Sequence, residues 1–187
     1  AANRAGHSAD HIRVVVVSKT QPIEVIQCAV QAGIRIFGEN YPEETAPKIS
    51  AINNPLLEWH MIGHLQSRKA KIVAEHFQWF HAMDSLKLAS RLNKQLEARN
   101  KKMPVLLEFN VGGEDSKAGW LANQSDDWPQ LVEIVEQVAE FPFLDIRGLM
   151  TMPPLETETE MSREYFIKLR KLRDFLEQRL PHVRLPE

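Results

Sequence analysis

The sequence predicts an α/β fold of the (β/α)8 barrel kind, present in this chain as about six β/α units plus the start of a seventh strand. Three observations predict it. Short apolar runs alternate with longer amphipathic stretches along the whole chain, which is the rhythm of parallel strands joined by helical crossovers. The first run, Val14 to Val17, is continuous and β-branched, as suits a strand buried on both faces. It leads into Ser18-Lys19-Thr20, neither a G-x-G-x-x-G turn nor a P-loop, so the sequence lacks the phosphate loop that would favour a doubly wound open sheet.

The remaining elements follow in order. Pro22 to Ala32 predicts a helix with Val25, Ile26, Ala29 and Val30 on one face, Pro22 in its first turn and Gly33 at its stop. Ile34 to Phe37 reads as a strand ended by Gly38-Glu39-Asn40. Tyr41 to Ile52 reads as a helix that Pro47 should kink or divide, because proline removes a backbone donor. Strands are expected at Trp59 to Ile62 and Trp79 to Met83. Between them, Ser67 to His76 is expected to be helical, with Lys69 and Lys71 on its wet side. Asp84 suits the N-cap of a helix striped by Leu88, Ala89, Leu92 and Leu96. Pro104 introduces a fifth strand, Val105 to Val111, and the loop Gly112 to Gly119 leads to a helix after Asp127. Ile146 to Met152 is the sixth strand, closed by Pro153-Pro154. A long basic helix then carries Phe166, Leu169, Leu172 and Leu176 on one face, and Val183 to Leu185 opens a seventh strand.

Composition narrows the function classes. A chain of 187 residues, 43% hydrophobic and 26% charged, fits one ordinary domain over residues 1–187. The net charge of −2 gives no general attraction for nucleic acid or an anionic membrane. The basic run Lys168, Arg170, Lys171, Arg173 reads as the solvated face of a helix. Cys28 is the only cysteine, so an internal disulfide and a cysteine-rich metal site are out, and its place near the apolar stripe suggests inert packing. No apolar run reaches the ~18 residues that would span a bilayer. A soluble, cytoplasmic monomer is expected. The start at Ala1 and the stop at Leu185-Pro186-Glu187 read as cut ends.

In barrels, functional groups sit where strands end at their C-terminal sides. That rule selects Lys19, Glu39, Asn40, His64, Lys117, Met150 and Thr151. Lys19 closes a run of four valines; if partly desolvated, its amine would be a nucleophile suited to an aldehyde, and otherwise it simply reaches solvent. Asn40 suits either a ligand oxygen or the cap of the next helix. His60 and His64 lack a third ligand at metal spacing, so no metal site is expected. The loop Asp115-Ser116-Lys117-Ala118-Gly119 suits either an anion or an exposed turn.

Five motifs in register, Val14-Val15-Val16-Val17-Ser18-Lys19-Thr20, Phe37-Gly38-Glu39-Asn40-Tyr41, Trp59-His60-Met61-Ile62-Gly63-His64-Leu65-Gln66-Ser67, Ser116-Lys117-Ala118-Gly119 and Arg147-Gly148-Leu149-Met150-Thr151-Met152, together resemble the pyridoxal 5′-phosphate (PLP) homeostasis protein family. The resemblance implies a PLP-binding barrel of the alanine-racemase type, without the racemase's second domain. It implies that Lys19 forms the Schiff base, that Asn40 lies beside the cofactor, that His64 and Met150 lie near the pocket, and that Lys117 assists cofactor exchange. Gln21 stands where the family often has a second lysine, and the family's phosphate-binding stretch and ring-nitrogen arginine are expected beyond Glu187. The implied function is to hold PLP, a vitamin B6 cofactor, and deliver it to PLP-dependent apo-enzymes without turnover. A PLP-dependent racemase or decarboxylase and a cofactor-free scaffold are the alternatives.

Overall fold

Alternation of side chains along parallel strands sorts them into two sets, one packed under helices and one turned to the middle of the sheet. In the computed structural model, which describes residues 6, 8–114, 116–154 and 159–187, this pattern repeats six times. The elements are β1 (Val16–Val17), α1 (Ile23–Gln31), β2 (Ile36–Glu39), α2 (Pro42–Ile52), β3 (Glu58–Met61), α3 (Ala70–His76), β4 (Trp79–Met83), α4 (Leu86–Glu97), β5 (Met103–Asn110), the two-residue β6 (Trp120–Leu121), α5 (Trp128–Ala139), β7 (Leu144–Met150) and α6 (Thr159–Arg179). The parallel order is β1-β2-β3-β4-β5, with β7 completing the row beside β5, while β6 pairs only with Phe109 and Asn110 at the end of β5.

The helix-facing set makes the core. Phe37, Trp59, Phe80, Val105, Leu107 and Phe109 are buried with the stripes Leu88, Ala89, Leu92, Leu96 of α4, Leu131, Val135, Val138 of α5 and Leu172, Leu176 of α6. Each such large side chain contributes about 1.5–3 kcal/mol on leaving water, so the six units hold one another in place. Lys101 fastens the bottom of the row by donating to the carbonyls of Ala74 (3.0 Å) and Phe77 (2.6 Å) at the C-terminal end of α3. Arg13 and Val15 from the β1 side line one small cavity together with Leu106 of β5 and Glu187 from beyond β7. The sheet is therefore rolled, with its first and last segments facing a shared interior. Glu187 extends the row: its N–H donates to Arg147 O (3.0 Å), its carbonyl accepts from Leu149 N (3.4 Å), and its backbone lies so close to Gly148 that a β-carbon there would collide with it.

Several expectations are corrected. The first strand is only Val16–Val17, and Val14 and Val17 are exposed, because β1 ends the row and has no strand on its other side among the described residues. Helix α2 runs undivided through Pro47, which is exposed and removes a single donor. Of the first helical stripe only Ile26 is fully buried; Val25 and Cys28 are exposed, so the thiol is not core packing. The helix from Ser67 begins as a 3-10 turn, Ser67–Lys69, before α3. Phe166 faces solvent at the open edge beside Leu149 and Glu187. Lys168 is not on the wet face: its ammonium donates to the carbonyls of Val111 (3.2 Å) and Asn123 (3.0 Å). Val183 and Leu185 are buried but not in a strand, and strand-like pairing begins only at Glu187. No helix among the described residues is long and apolar enough to cross a membrane.

Candidate functional site

The rolled sheet has two ends of different chemistry. At the N-terminal end, the floor, inward residues form one continuous polar chain. Arg13 grips both oxygens of Glu58 (2.7 and 2.5 Å), Glu58 Oε2 lies 2.9 Å from His60 Nε2, and His60 Nδ1 lies 2.9 Å from His81 Nε2. A carboxylate only accepts, so His60 donates from Nε2 to Glu58 and accepts at Nδ1 from His81. One neutral tautomer of each ring satisfies the chain. The His60 ring stacks on Trp79, and the Arg13 guanidinium lies 5.7 Å from the Trp79 centroid. Burial lowers the pKa of both histidines, that of His81 to about 4 with the charges of His60 and Arg13 adding to the effect. Burial would raise Glu58, but its bonds to Arg13 and His60 outweigh that and hold it below the usual carboxylate range.

The opposite end is the rim, and there the sequence-selected residues gather. Gln21 N donates to Ser18 O (3.1 Å), closing a turn that presents Lys19 at its corner. Thr20 holds a φ of 64°, a left-handed conformation that costs a β-branched residue about 1–3 kcal/mol. The turn is anchored on its helix-facing side by the buried pair Ser18 Oγ to Glu39 Oε1 (2.7 Å), so Glu39 belongs to the anchor and not to the mouth. Val17 pairs with Gly38, which places Lys19 and Asn40 each two residues beyond the same rung. Lys19 is exposed, the solvent-reaching alternative of its sequence reading, and Val17 at the end of β1 is exposed as well. Asn40 does not cap α2, whose N-cap is Tyr41. A β-carbon on Gly63 would lie 2.9 Å from both Cβ and Cγ of Asn40, so glycine there leaves the space the amide occupies.

His64 and Asp84 come together although twenty residues apart: His64 Nδ1 lies 2.7 Å from Asp84 Oδ2, with the imidazole 62% exposed. Asp84 is thus taken up by this pair and by Ser85 Oγ (3.1 Å), and Ser85 is the N-cap of α4. On the far side, Lys117 Nζ donates to Met152 O (2.8 Å) and lies 3.9 Å from Glu114, tying the loop after β5 to the end of β7. Asp115 of that loop lies outside the described residues. Asn110 shapes the same loop, donating to Glu114 O and accepting from Gly113 N at 2.8 Å each. Met150 is half-buried opposite Glu108 on β5, and Thr151 donates to Phe109 O (2.8 Å).

Sequence reasoning passed over Glu108. Its residue is 6% exposed, and burial first, then the charge of Asp84, push its carboxyl up to about 7 against the pull of His64 and Lys117. The available signal was a lone acid between Leu107 and Phe109, two places before Asn110, on the inward register of an otherwise apolar strand. The floor residues Arg13, Glu58 and His81 were missed as well, because they meet only when the sheet rolls. Among the described residues no group of three His, Cys, Asp or Glu side chains is disposed to hold a metal ion. The rim thus offers an amine, an amide, an imidazole–carboxylate pair and a protonatable buried acid, a set suited to an aldehyde-bearing anion.

Residues 2–185 match the family described as "Alanine racemase, N-terminal domain". The pyridoxal phosphate homeostasis protein of Escherichia coli is 40% identical over 186 residues, covering 98% of this chain and 77% of that protein. Its counterpart in Pasteurella multocida is 39% identical over 176 residues, covering 93% and 73%. Among solved structures, PipY of Synechococcus elongatus with PLP bound superposes with a TM-score of 0.84 at 32% identity, over all of this chain and 84% of PipY. An alanine racemase of Clostridium difficile, at 15% identity and a TM-score of 0.71 over 96% of this chain and 46% of that one, shares the fold. The chain therefore belongs to the alanine racemase N-terminal-domain family and, within it, to the pyridoxal phosphate homeostasis proteins.

Proposed function

We propose that this chain is the PLP-binding barrel of a non-catalytic carrier, a single-domain cytoplasmic monomer that holds the cofactor and releases it to PLP-dependent apo-enzymes. Bound PLP supplies an aldehyde that condenses reversibly with a primary amine, with loss of water. In this reading Lys19 provides that amine and holds PLP as a Schiff base. Asn40, just beyond β2, faces the ring, His64 beyond β3 and Met150 at the end of β7 border the pocket, and Lys117 closes the side between β5 and β7. The observation that carries the reading is that Lys19 and Asn40 each lie two residues beyond the paired Val17 and Gly38, in a chain 40% identical to a named PLP homeostasis protein. An exposed amine fits a carrier better than a catalyst, because cofactor has to enter and leave at this position.

The test is a spectral titration of the intact protein with PLP, combined with an assay of α-proton exchange in alanine. The carrier reading expects a yellow absorbance band that Lys19→Ala removes and no exchange above the rate of free PLP. Lys19→Ala should change stability by no more than about 0.5 kcal/mol, as for a surface substitution. Exchange catalysed by the protein would instead favour the racemase or decarboxylase reading. A protein that stays colourless with PLP would leave a cofactor-free scaffold.

A further inference from the structure

Strand β5 carries its side chains alternately outward and inward. Val105, Leu107 and Phe109 are buried in the core, while Leu106 lines the interior cavity, and Glu108 and Asn110 follow it on the inward register toward the rim. Both polar inward residues are buried, yet their situations differ. Asn110 has its amide N–H and its oxygen bonded within the loop it shapes. No hydrogen bond among the described residues ends on the Glu108 carboxyl.

The charged groups that face it come from every neighbouring element that carries one. Asp84 stands at the end of β4, His64 beyond β3, and Lys117 in the loop after β5. From β7 the partner is uncharged Met150, and β6 offers Trp120 and Leu121. Lys117 and His64 are engaged elsewhere, Lys117 with Met152 O and Glu114, and His64 with Asp84. Glu108 therefore has an acid for a neighbour and no committed cation, with 6% of the residue exposed. Burial and Asp84 together set its proton loss near neutrality, at about 7.

PLP is an anion through its phosphate and ring oxygen. A neutral carboxyl can donate to such a ligand, whereas a carboxylate repels it and can donate nothing. Resting on the reading that this mouth binds PLP, we propose that Glu108 is a further ligand-facing residue of the mouth, which accepts the phosphorylated ligand as a neutral acid and drives it off as a carboxylate. The proton that leaves on ionisation goes to solvent, so cofactor release is linked to pH at this one side chain.

The experiment measures equilibrium binding of pyridoxine 5′-phosphate to the intact protein between about pH 6 and about pH 8.5, a window that brackets proton loss from Glu108. This ligand keeps the phosphate and ring but has an alcohol in place of the aldehyde, so condensation at Lys19 does not enter. Ionisation of the ligand itself is common to all variants and cancels in the comparison. The wild type is expected to lose several-fold more affinity across the window than Glu108→Gln, which should hold the ligand into the alkaline range. Asp84→Asn removes the like charge and should move the midpoint of the wild-type fall to lower pH, a result that stands even if Glu108→Gln does not fold. Parallel curves for wild type and Glu108→Gln, or an unmoved midpoint in Asp84→Asn, overturn the role of Glu108 while leaving PLP binding intact. Failure of the wild type to bind either pyridoxine 5′-phosphate or PLP at any pH overturns the carrier reading, and this inference with it.

Discussion

The two ends of the rolled sheet carry similar side chains and use them in opposite ways. On the floor, Arg13, Glu58, His60 and His81 satisfy one another in a single chain of bonds, flanked by Trp79. On the rim, Lys19 is exposed, His64 is mostly exposed, Glu108 is buried without a hydrogen bond, and Thr20 holds a strained backbone. A saturated polar network specifies a structure, whereas unsaturated groups at a strained turn are available to a ligand. The difference separates a floor whose polar side chains satisfy one another from a rim where the side chains of Lys19 and Glu108 are left without a partner among the described residues, and the proposed site lies at the rim.

The comparison breaks most readily at His60, whose side chain is only 3% exposed. His60→Ala removes a stacked ring and leaves partners unpaired on both sides, so it should cost about 2–4 kcal/mol in denaturant unfolding. PLP affinity should change far less than stability. A loss of affinity without a loss of stability would mean that the floor is part of the site. Next in size is the pH dependence, where the two ends should act in opposite senses. His81 has a folded pKa of about 4, below its unfolded value of 6.5, so its contribution is present above 6.5 and is lost as pH falls toward 4. The full loss would be up to roughly 3 kcal/mol, with His60 acting in the same direction. Glu108 has a folded pKa of about 7, above 4.5, so its contribution is present below 4.5 and is lost as pH rises through 7. Unfolding free energies measured across this range should lose part of their acid limb in His81→Gln and flatten at neutral pH in Glu108→Gln. A wild-type acid limb retained in full by His81→Gln would contradict the assignment.

A smaller effect is expected at Gly63. A methyl group there would press on Asn40, costing about 1–3 kcal/mol as overpacking and weakening PLP binding in the same variant. Smallest of all should be Lys69→Ala, which breaks a partly exposed pair with Glu43 (2.5 Å) between the turn before α3 and the first turn of α2. It should shift stability by less than about 1 kcal/mol and leave ligand binding untouched.

Much of the fold was legible because it rests on local periodicity. The stripes of α4 and α5 and the run Trp79–Met83 lie where the apolar spacing puts them. What misled was context beyond periodicity. Val14 to Val17 has the composition of a doubly buried strand but stands at the end of the row, and Pro47 is harmless because it is exposed. At the rim, the rule that function sits at strand ends selected Lys19, Glu39, Asn40, His64, Lys117, Met150 and Thr151; the structure puts them at strand ends or in the loop after β5, with Glu39 taken up by Ser18 and Thr151 by Phe109 O. It could not reveal that Asp84 would leave its capping position for His64, nor that Glu108 would be trapped among charges from three different loops. Those facts depend on which strands become neighbours, and single residues do not encode that.

The claim on which the carrier reading depends is that the amine of Lys19, and no other, takes the cofactor. Borohydride reduction of the PLP-loaded intact protein, followed by proteolysis and mass spectrometry, reads it directly. The account predicts a pyridoxyl adduct on the peptide containing Lys19, confined to that residue. An adduct on Lys117 or another lysine in place of Lys19, or a loaded protein that yields none, would contradict it.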